Sequence, residues 1–407
     1  MDDKNTKARL AYNLLIAVGC AALIALYPSL IVVAGGLALV WVVLLPAKER
    51  PEYQLLFVGF LVAFLVRALM VLGTFYVSYS TGQYVGFGPD GLTYSGNAWA
   101  LVSMMKVNTK EWLFNRTTFP FPYSSLPYWA PEILTGRLPH ISVYSTTPWM
   151  YFILAVYWLF GFVPLTVQLL NCLMGATAAL IQYFIAKKIL GKKVAIRLFP
   201  VLLFVPSIMV WSTTMLKEPI LYLTLSLVFL LFLKLKKTNV LITVLVMVGL
   251  TIATYVYYPK FEALASHHIT RMATQKKAAS RYEIYSKGVR GKVMQQEGRA
   301  DPWDKASGLA WGLASFHLRP HAWEARSLKQ VALIPQMLVW YLVVPLSIIG
   351  AAKVLTSNPS LGVWLMVFFV VVATSIVALS SGNEGVLVRH RDILVPYYLI
   401  FAAGFFA

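Results

Sequence analysis

Long apolar runs separated by short basic segments are the feature that most constrains how this chain folds. Of its 407 residues, 59% are hydrophobic and only 13% are charged, whereas about a quarter of the residues in a soluble protein are charged. Several runs approach the roughly 20 apolar residues that cross a hydrocarbon core as a helix. The sequence therefore predicts an all-α, polytopic membrane helix bundle of about ten transmembrane helices, with juxtamembrane helices in a long first outer loop.

The basic residues predict the orientation of these helices. A net charge of +19 is also typical of proteins that bind nucleic acid, but in so apolar a chain Lys and Arg mark cytoplasmic loops and contact anionic lipids. We therefore expect membrane lipids, and no nucleic acid, as partners.

The segment 148–161 is short for a span, and its placement decides the topology. We take it as interfacial, because the basic loops of LIQYFIAKKILGKK and LFLKLKK then fall inside, as the positive-inside bias expects, and both termini are cytoplasmic.

These spans divide the chain into four predicted regions. They are an N-terminal transmembrane hairpin at 1–53, a transmembrane core at 54–257 with an outer loop at 78–163, a polar basic outer loop at 258–329, and C-terminal transmembrane helices at 330–407. No eukaryotic retention tail is recognisable, which favours a bacterial inner membrane. We expect the functional face to be the periplasmic or exterior one, where both long polar loops lie.

The stretch GFGPDGLTYSGNAWAL places a carboxylate, Asp90, just after an apolar span. Because PDG precedes a helical pattern, Asp90 is predicted to open a helix. Tyr94 and Asn97 follow on the side of Asp90, and Ala98 and Trp99 are expected on the opposite side, against the membrane surface. Asp90 is thus either a site residue or simply the cap of this helix.

Other polar residues of the predicted outer face leave similar alternatives open. Glu111 is either a second active-site carboxylate or the ion-pair partner of Lys110. The pair Lys217 and Glu218, at a turn before Pro219, is either an interfacial anchor or a phosphate contact.

Two later segments place cations beside aromatic residues or at the mouth of a span. FHLRPHAWE contains Arg319 and His321, and NEGVLVRHRD contains Arg389 and Arg391. Clustered Arg and His suit an anionic lipid headgroup or a pyrophosphate. Outer-face arginines also run against the positive-inside bias, so a binding role competes here with simple anchoring.

Several common motifs do not occur. The sequence contains no P-loop, GxGxxG turn, HExxH pattern or GxSxG elbow. Its two cysteines, Cys20 and Cys172, lie inside apolar runs, so neither a disulfide framework nor a cysteine metal site is predicted.

The polar residues and the hydrophobic segments together resemble the GT-C superfamily of integral-membrane glycosyltransferases, which includes protein O-mannosyltransferases and lipid A aminoarabinose transferases. The Asp-x-x-x-Tyr helix of Asp90 and Tyr94 resembles the start of their first outer loop. TTPWMYFILAVYWLFG, LIQYFIAKKILGKK and FVPSIMVWSTTMLKEPILYLTLSLVFLLFLKLKK resemble the elements that follow. The resemblance covers about residues 54–240.

The resemblance implies transfer of a sugar from a polyprenyl-phosphate donor to a glycan or protein acceptor, with inversion. It makes Asp90 the general base on the acceptor hydroxyl and Glu111 a second catalytic acid, with Tyr94 and Asn97 binding substrate. The departing phosphate would be held by a set of cationic residues: Lys106, Lys110, Lys217, Arg319, His321, Arg389 and Arg391. Some relatives use a divalent cation such as Mg²⁺ or Mn²⁺, and the sequence leaves open whether this chain does.

Two other classes of protein compete with the enzyme. A transporter or flippase for an anionic lipid-linked substrate would carry intramembrane charges and repeated, interrupted spans. Arg67 fits the first criterion, but no repeat is recognisable. The third class is a non-catalytic subunit of an envelope-assembly complex.

Overall fold

The computed structural model describes seven segments and three single positions of the chain, and all of its described elements are helical. The described residues are 27–44, 51–79, 89–108, 148–234, 313–319, 334–380 and 384–407, together with single positions at 18, 310 and 331. Most of the predicted loop 258–329, the predicted span at 239–257 and most of the one at 10–26 lie outside these residues.

The helices are numbered here in chain order. After a single 3₁₀ turn, Pro28–Leu30, they are α1 Ile31–Leu44, α2 Pro51–Tyr79, α3 Pro89–Asn108, α4 Pro148–Phe160, α5 Pro164–Leu190, α6 Lys192–Leu203, α7 Pro206–Ser212, α8 Glu218–Lys234, α9 Ile334–Ser357, α10 Leu361–Ser380, α11 Glu384–Asp392 and α12 Val395–Gly404. Prolines stand at or beside the start of many of these helices, where the missing N–H has no intrahelical partner.

Within the described residues, four helices are long and apolar enough to cross a membrane. They are Pro51–Val77, Pro164–Leu190, Ile334–Ser357 and Leu361–Ala378. A fifth span results if α6 and α7 are one broken span. The predicted number of about ten is therefore not confirmed, whereas the all-helical membrane fold is. Helix α4 has 13 residues, which is shorter than a span requires.

The described chain divides into two compact units. Unit 1 comprises residues 1–177 and 209–220, and unit 2 comprises residues 178–208 and 221–407. The boundary runs through α5, α7 and α8. The four regions predicted from the sequence stay a prediction.

Unit 1 is built around an apolar cluster supplied by α3, α4, the start of α5 and the turn after α7. Its buried members include Tyr94 and Ala98 of α3, Tyr157 of α4, and Met215 and Leu216 of the turn. Elsewhere in this unit, Ser29 and Thr166 share a hydroxyl–hydroxyl hydrogen bond of 2.6 Å. Unit 1 therefore joins the helix of Asp90 and the turn of Lys217 through one core.

Unit 2 is held by close helix packing and a buried polar chain. A Cβ added to Gly350 of α9 would meet the backbone of Phe401 in α12 and of Phe405 just after it, so these two helices are in backbone contact. The Gln182 amide donates to the Ser226 hydroxyl at 3.0 Å, and Ser226 shares a second bond of 3.0 Å with Tyr397. Small residues and interhelical hydrogen bonds are typical of helix packing in membranes.

Candidate functional site

Asp90 lies in the first turn of α3, which begins one residue earlier, at Pro89. The predicted helix start is thus confirmed to within one residue. The Asp90 side chain is half-buried. A carboxylate in the first turn of a helix lies near the positive end of the helix dipole, which is a favourable position for an acidic side chain.

The packing of α3 differs from the prediction. Tyr94, Ala98 and Val102 are buried together in the apolar cluster, and Trp99 packs against it. Residues four positions apart share one helix face, so the expectation that Ala98 lies opposite Tyr94, against the membrane surface, was wrong. Asn97 is half-buried.

Helix α4 covers the buried face of α3. The Ser95 and Tyr157 hydroxyls share a buried hydrogen bond of 2.7 Å. The Trp99 ring lies edge-on to Tyr157, with centroids 6.2 Å apart, and also contacts Phe162 at 5.5 Å. These contacts fix the helix that carries Asp90 against α4.

The turn between α7 and α8, residues 213–217, ends at Lys217, the first member of the predicted Lys217–Glu218 pair. Helix α8 begins at Glu218, whose side chain is fully buried, whereas Lys217 is half-exposed. The exposed charge at this helix start is therefore that of Lys217.

Three consecutive carbonyls of this turn accept hydrogen bonds from side chains of other helices. The Trp149 indole of α4 donates to the carbonyl of Met215 at 2.9 Å. The Asn171 amide of α5 donates to the carbonyls of Thr214 and Leu216, at 2.6 and 3.0 Å. The sequence did not single out Trp149 or Asn171, and the available signal was an Asn inside an apolar run.

Arg67 is a buried charged residue of unit 1. It lies in the middle of α2, is fully buried, and donates from Nη1 to the carbonyl of Ala63 at 3.0 Å. A Cβ added to Gly175 would lie 2.9 Å from Cβ of Ser212 and 3.7 Å from Nε of Arg67. Gly175 therefore leaves the space that the Ser212 and Arg67 side chains occupy.

In unit 2, Arg391 is fully buried. Its Nη1 donates to the carbonyls of Arg319 and Phe316, at 2.6 and 3.3 Å, and its guanidinium lies over the Trp340 ring at 5.2 Å. This guanidinium thereby binds the end of the short helical segment 313–318.

His317, in the same segment, links two elements of unit 2. One ring nitrogen, Nδ1, lies 2.9 Å from the carbonyl of Leu313, and Nε2 lies 3.1 Å from the Tyr398 hydroxyl. Since a carbonyl only accepts, Nδ1 carries the proton and Nε2 accepts from Tyr398. Burial lowers the pKa of His317, and the nearby charge of Arg391 lowers it further.

The predicted site residues are distributed over both units. Asp90, Tyr94, Asn97 and Lys217 lie in unit 1, and the half-buried Arg319 and Arg389 lie with Arg391 in unit 2. Lys106 lies in α3, whereas Lys110, Glu111 and His321 fall outside the described residues. The catalytic and binding roles of all these residues stay predictions.

The described ranges contain no group of three or more His, Cys, Asp or Glu side chains able to hold a metal ion.

These helices define an all-α integral membrane protein. A family model described as dolichyl-phosphate-mannose-protein mannosyltransferase matches residues 146–273. This confirms the resemblance to GT-C glycosyltransferases. The matched range includes α4, α5 and the turn of Lys217, and it begins after Asp90. No curated protein and no solved structure matches the chain.

Proposed function

We propose that this protein is a membrane glycosyltransferase of the GT-C type that transfers a sugar from a polyprenyl-phosphate donor to a lipid-linked glycan or protein acceptor. The family match and the apolar helices support this class of enzyme. The reaction takes place at the outer face of the membrane, where the donor's phosphate meets water and the acceptor.

The observation that carries the proposal is the shared core of unit 1. The helix that begins beside Asp90 and the turn that ends in Lys217 both pack on one apolar cluster, through Tyr94 on one side and Met215 and Leu216 on the other. A carboxylate and an ammonium group are thereby held by the same compact part of the fold. Base and phosphate ligand are the two groups that this reaction requires.

In the proposed step, the Asp90 carboxylate takes the proton of the acceptor hydroxyl. The acceptor oxygen forms a bond to the anomeric carbon from the face opposite the phosphate, and the bond between that carbon and the phosphate oxygen breaks. Polyprenyl phosphate leaves with the bonding electron pair, and the Lys217 ammonium stabilises its negative charge. Configuration at the anomeric carbon inverts, and one proton is released to the carboxylate.

Replacing Asp90 by Asn tests this assignment. The amide keeps the size of the side chain but is not a base, and a positioned base contributes roughly 10²–10⁴-fold to a rate. Sugar transfer by the purified full chain should fall by about that factor, while donor binding is retained. Thr93→Ala, at an exposed position of the same helix, is the matched control.

The same assay separates the competing classes of protein. A scaffold subunit or a flippase would not transfer sugar from a polyprenyl-phosphate donor, and Asp90→Asn would leave its binding or lipid translocation unchanged. Full transfer by the Asn variant would remove Asp90 from the mechanism.

A further inference from the structure

The turn at residues 213–217 is unusual because side chains of other helices hydrogen-bond its backbone, while the side chain of Lys217 stays accessible. Residues 213–216 are buried, and Lys217 is half-exposed. The turn is not helical, so its carbonyls lack the partners that a helix supplies. Such backbone is found among membrane helices only where protein or water satisfies it.

Trp149 and Asn171 satisfy this backbone at three successive residues. The indole binds the carbonyl of Met215, and the single amide nitrogen of Asn171 bridges the carbonyls of Thr214 and Leu216. Both side chains are themselves supported, since Trp149 is buried and stacks on Phe152 with centroids 5.0 Å apart, and Asn171 is fully buried. The main chain next to Lys217 is therefore fixed from two helices.

The charge presented by this turn is positive. Lys217 directly precedes the 17 residues of α8, whose first turn has the positive end of a helix dipole. The neighbouring carboxylate of Glu218 is fully buried, whereas the Lys217 side chain has access to the surroundings. An ammonium group in this setting suits a phosphate ester.

We propose that Asn171 and Trp149 are positioning residues that hold Lys217 against the phosphate of the polyprenyl-phosphate donor. This inference rests on the proposed function, and it assigns the donor's phosphate to one turn of unit 1. The two side chains do not touch the donor. They act by fixing the backbone that carries the ammonium group, so that little freedom is lost when the phosphate binds.

The test measures binding of a fluorescent polyprenyl monophosphate to the purified full chain. Lys217→Ala and Asn171→Ala should each raise the Kd by about tenfold, the effect of about 1.4 kcal/mol. Binding of the matching polyprenol, which has no phosphate, should not change. Lys193→Ala, which removes an exposed lysine of unit 2, is the matched control and should leave both values unchanged.

A double variant distinguishes positioning from general support of the fold. Because Asn171 acts through Lys217, the Lys217→Ala/Asn171→Ala chain should bind no more weakly than Lys217→Ala alone. Additive losses, or equal weakening for phosphate and polyprenol, would overturn the proposal. If Asn171→Ala does not fold, Trp149→Phe, which keeps a stacked ring and removes one donor, takes its place in the same comparison.

Competition by lipid vesicles identifies the source of the phosphate. Vesicles containing an anionic phospholipid should displace the labelled polyprenyl phosphate poorly, and equal displacement would overturn the assignment to the donor. Because binding is measured without sugar transfer, a chain that binds in this way but transfers no sugar would contradict the proposed function and not the phosphate site.

Discussion

Arg391 donates a hydrogen bond of 2.6 Å from Nη1 to the backbone carbonyl of Arg319, so one residue predicted to bind phosphate holds the main chain of another. The same Nη1 also reaches the carbonyl of Phe316. In unit 2 this guanidinium is therefore part of the packing between α11 and the segment 313–318.

Replacing Arg391 should destabilise unit 2. A hydrogen bond to a charged group contributes about 1.5–3 kcal/mol, and Arg391→Ala removes two such bonds and the stacking on Trp340. We expect a clear fall in the melting temperature of the purified protein, and Arg391→Lys should not restore it because one ammonium lacks the planar fork. Arg389→Ala, at a half-buried neighbour, is the control. An unchanged melting temperature for Arg391→Ala, with lost donor binding, would instead make Arg391 a ligand.

Gly350 should not tolerate a methyl group. A Cβ there would lie 2.9 Å from the backbone nitrogen of Phe405 and closer still to the carbonyl of Phe401. Overpacking of this kind typically costs about 1–3 kcal/mol, so Gly350→Ala should lower the melting temperature. Gly73→Ala, in a helix where nothing lies within 4 Å of the added carbon, should not lower it. Equal effects of the two variants would refute the backbone contact between α9 and α12.

The lowered pKa of His317 predicts that the folded protein loses stability in acid. Burial and the charge of Arg391 lower its pKa below the ordinary 6.5, so the unfolded chain binds a proton that the folded chain does not. The resulting loss of folding free energy is absent above pH 6.5, and it grows as the pH falls from there towards the pKa of His317 in the folded chain. Melting curves recorded from about pH 8 to about pH 5 should show this decline, and His317→Gln should flatten it. A variant with an unchanged pH profile would place the titrating group elsewhere.

The bond between Ser95 and Tyr157 can be measured by a double-mutant cycle. Tyr157→Phe keeps the ring between Trp99 and Phe162 but leaves the buried Ser95 hydroxyl without this partner, which costs about 1–3 kcal/mol. Ser95→Ala in the same chain should recover most of that loss, because both partners are then apolar. Thermal unfolding of the wild type, the two single variants and the double variant gives the coupling free energy between the two hydroxyls. Strictly additive losses of stability would show that the hydroxyls do not interact.

Local signals in the sequence predicted the helices that carry the candidate site. Apolar length identified α2, α5, α9 and α10, and PDG located the start of α3 to within one residue. Proline and the charge pair marked the beginning of α8 at residue 218. These features depend on neighbours along the chain, which a single sequence contains.

Features that depend on a partner from a distant helix were not predicted. Ala98 and Trp99 were expected at the membrane surface because nothing in their own segment indicates that α4 covers them. Arg391 was expected at the outer mouth of the last span as a phosphate ligand, but it is buried against groups 54 to 75 positions away in the chain. Asn171 is one polar residue in an apolar run. Its hydrogen bonds to the backbone of residues 214 and 216 depend on where that turn lies in the fold, which the sequence alone does not indicate.

The hydrogen bonds that Trp149 and Asn171 donate to the carbonyls of residues 214–216 also restrict insertions and deletions in this turn. Inserting or deleting one residue between 213 and 217 would shift the register of every later carbonyl relative to Trp149 and Asn171. Natural variants of the protein should therefore have insertions and deletions in other connections between helices, whereas the turn at residues 213–217 keeps a constant length.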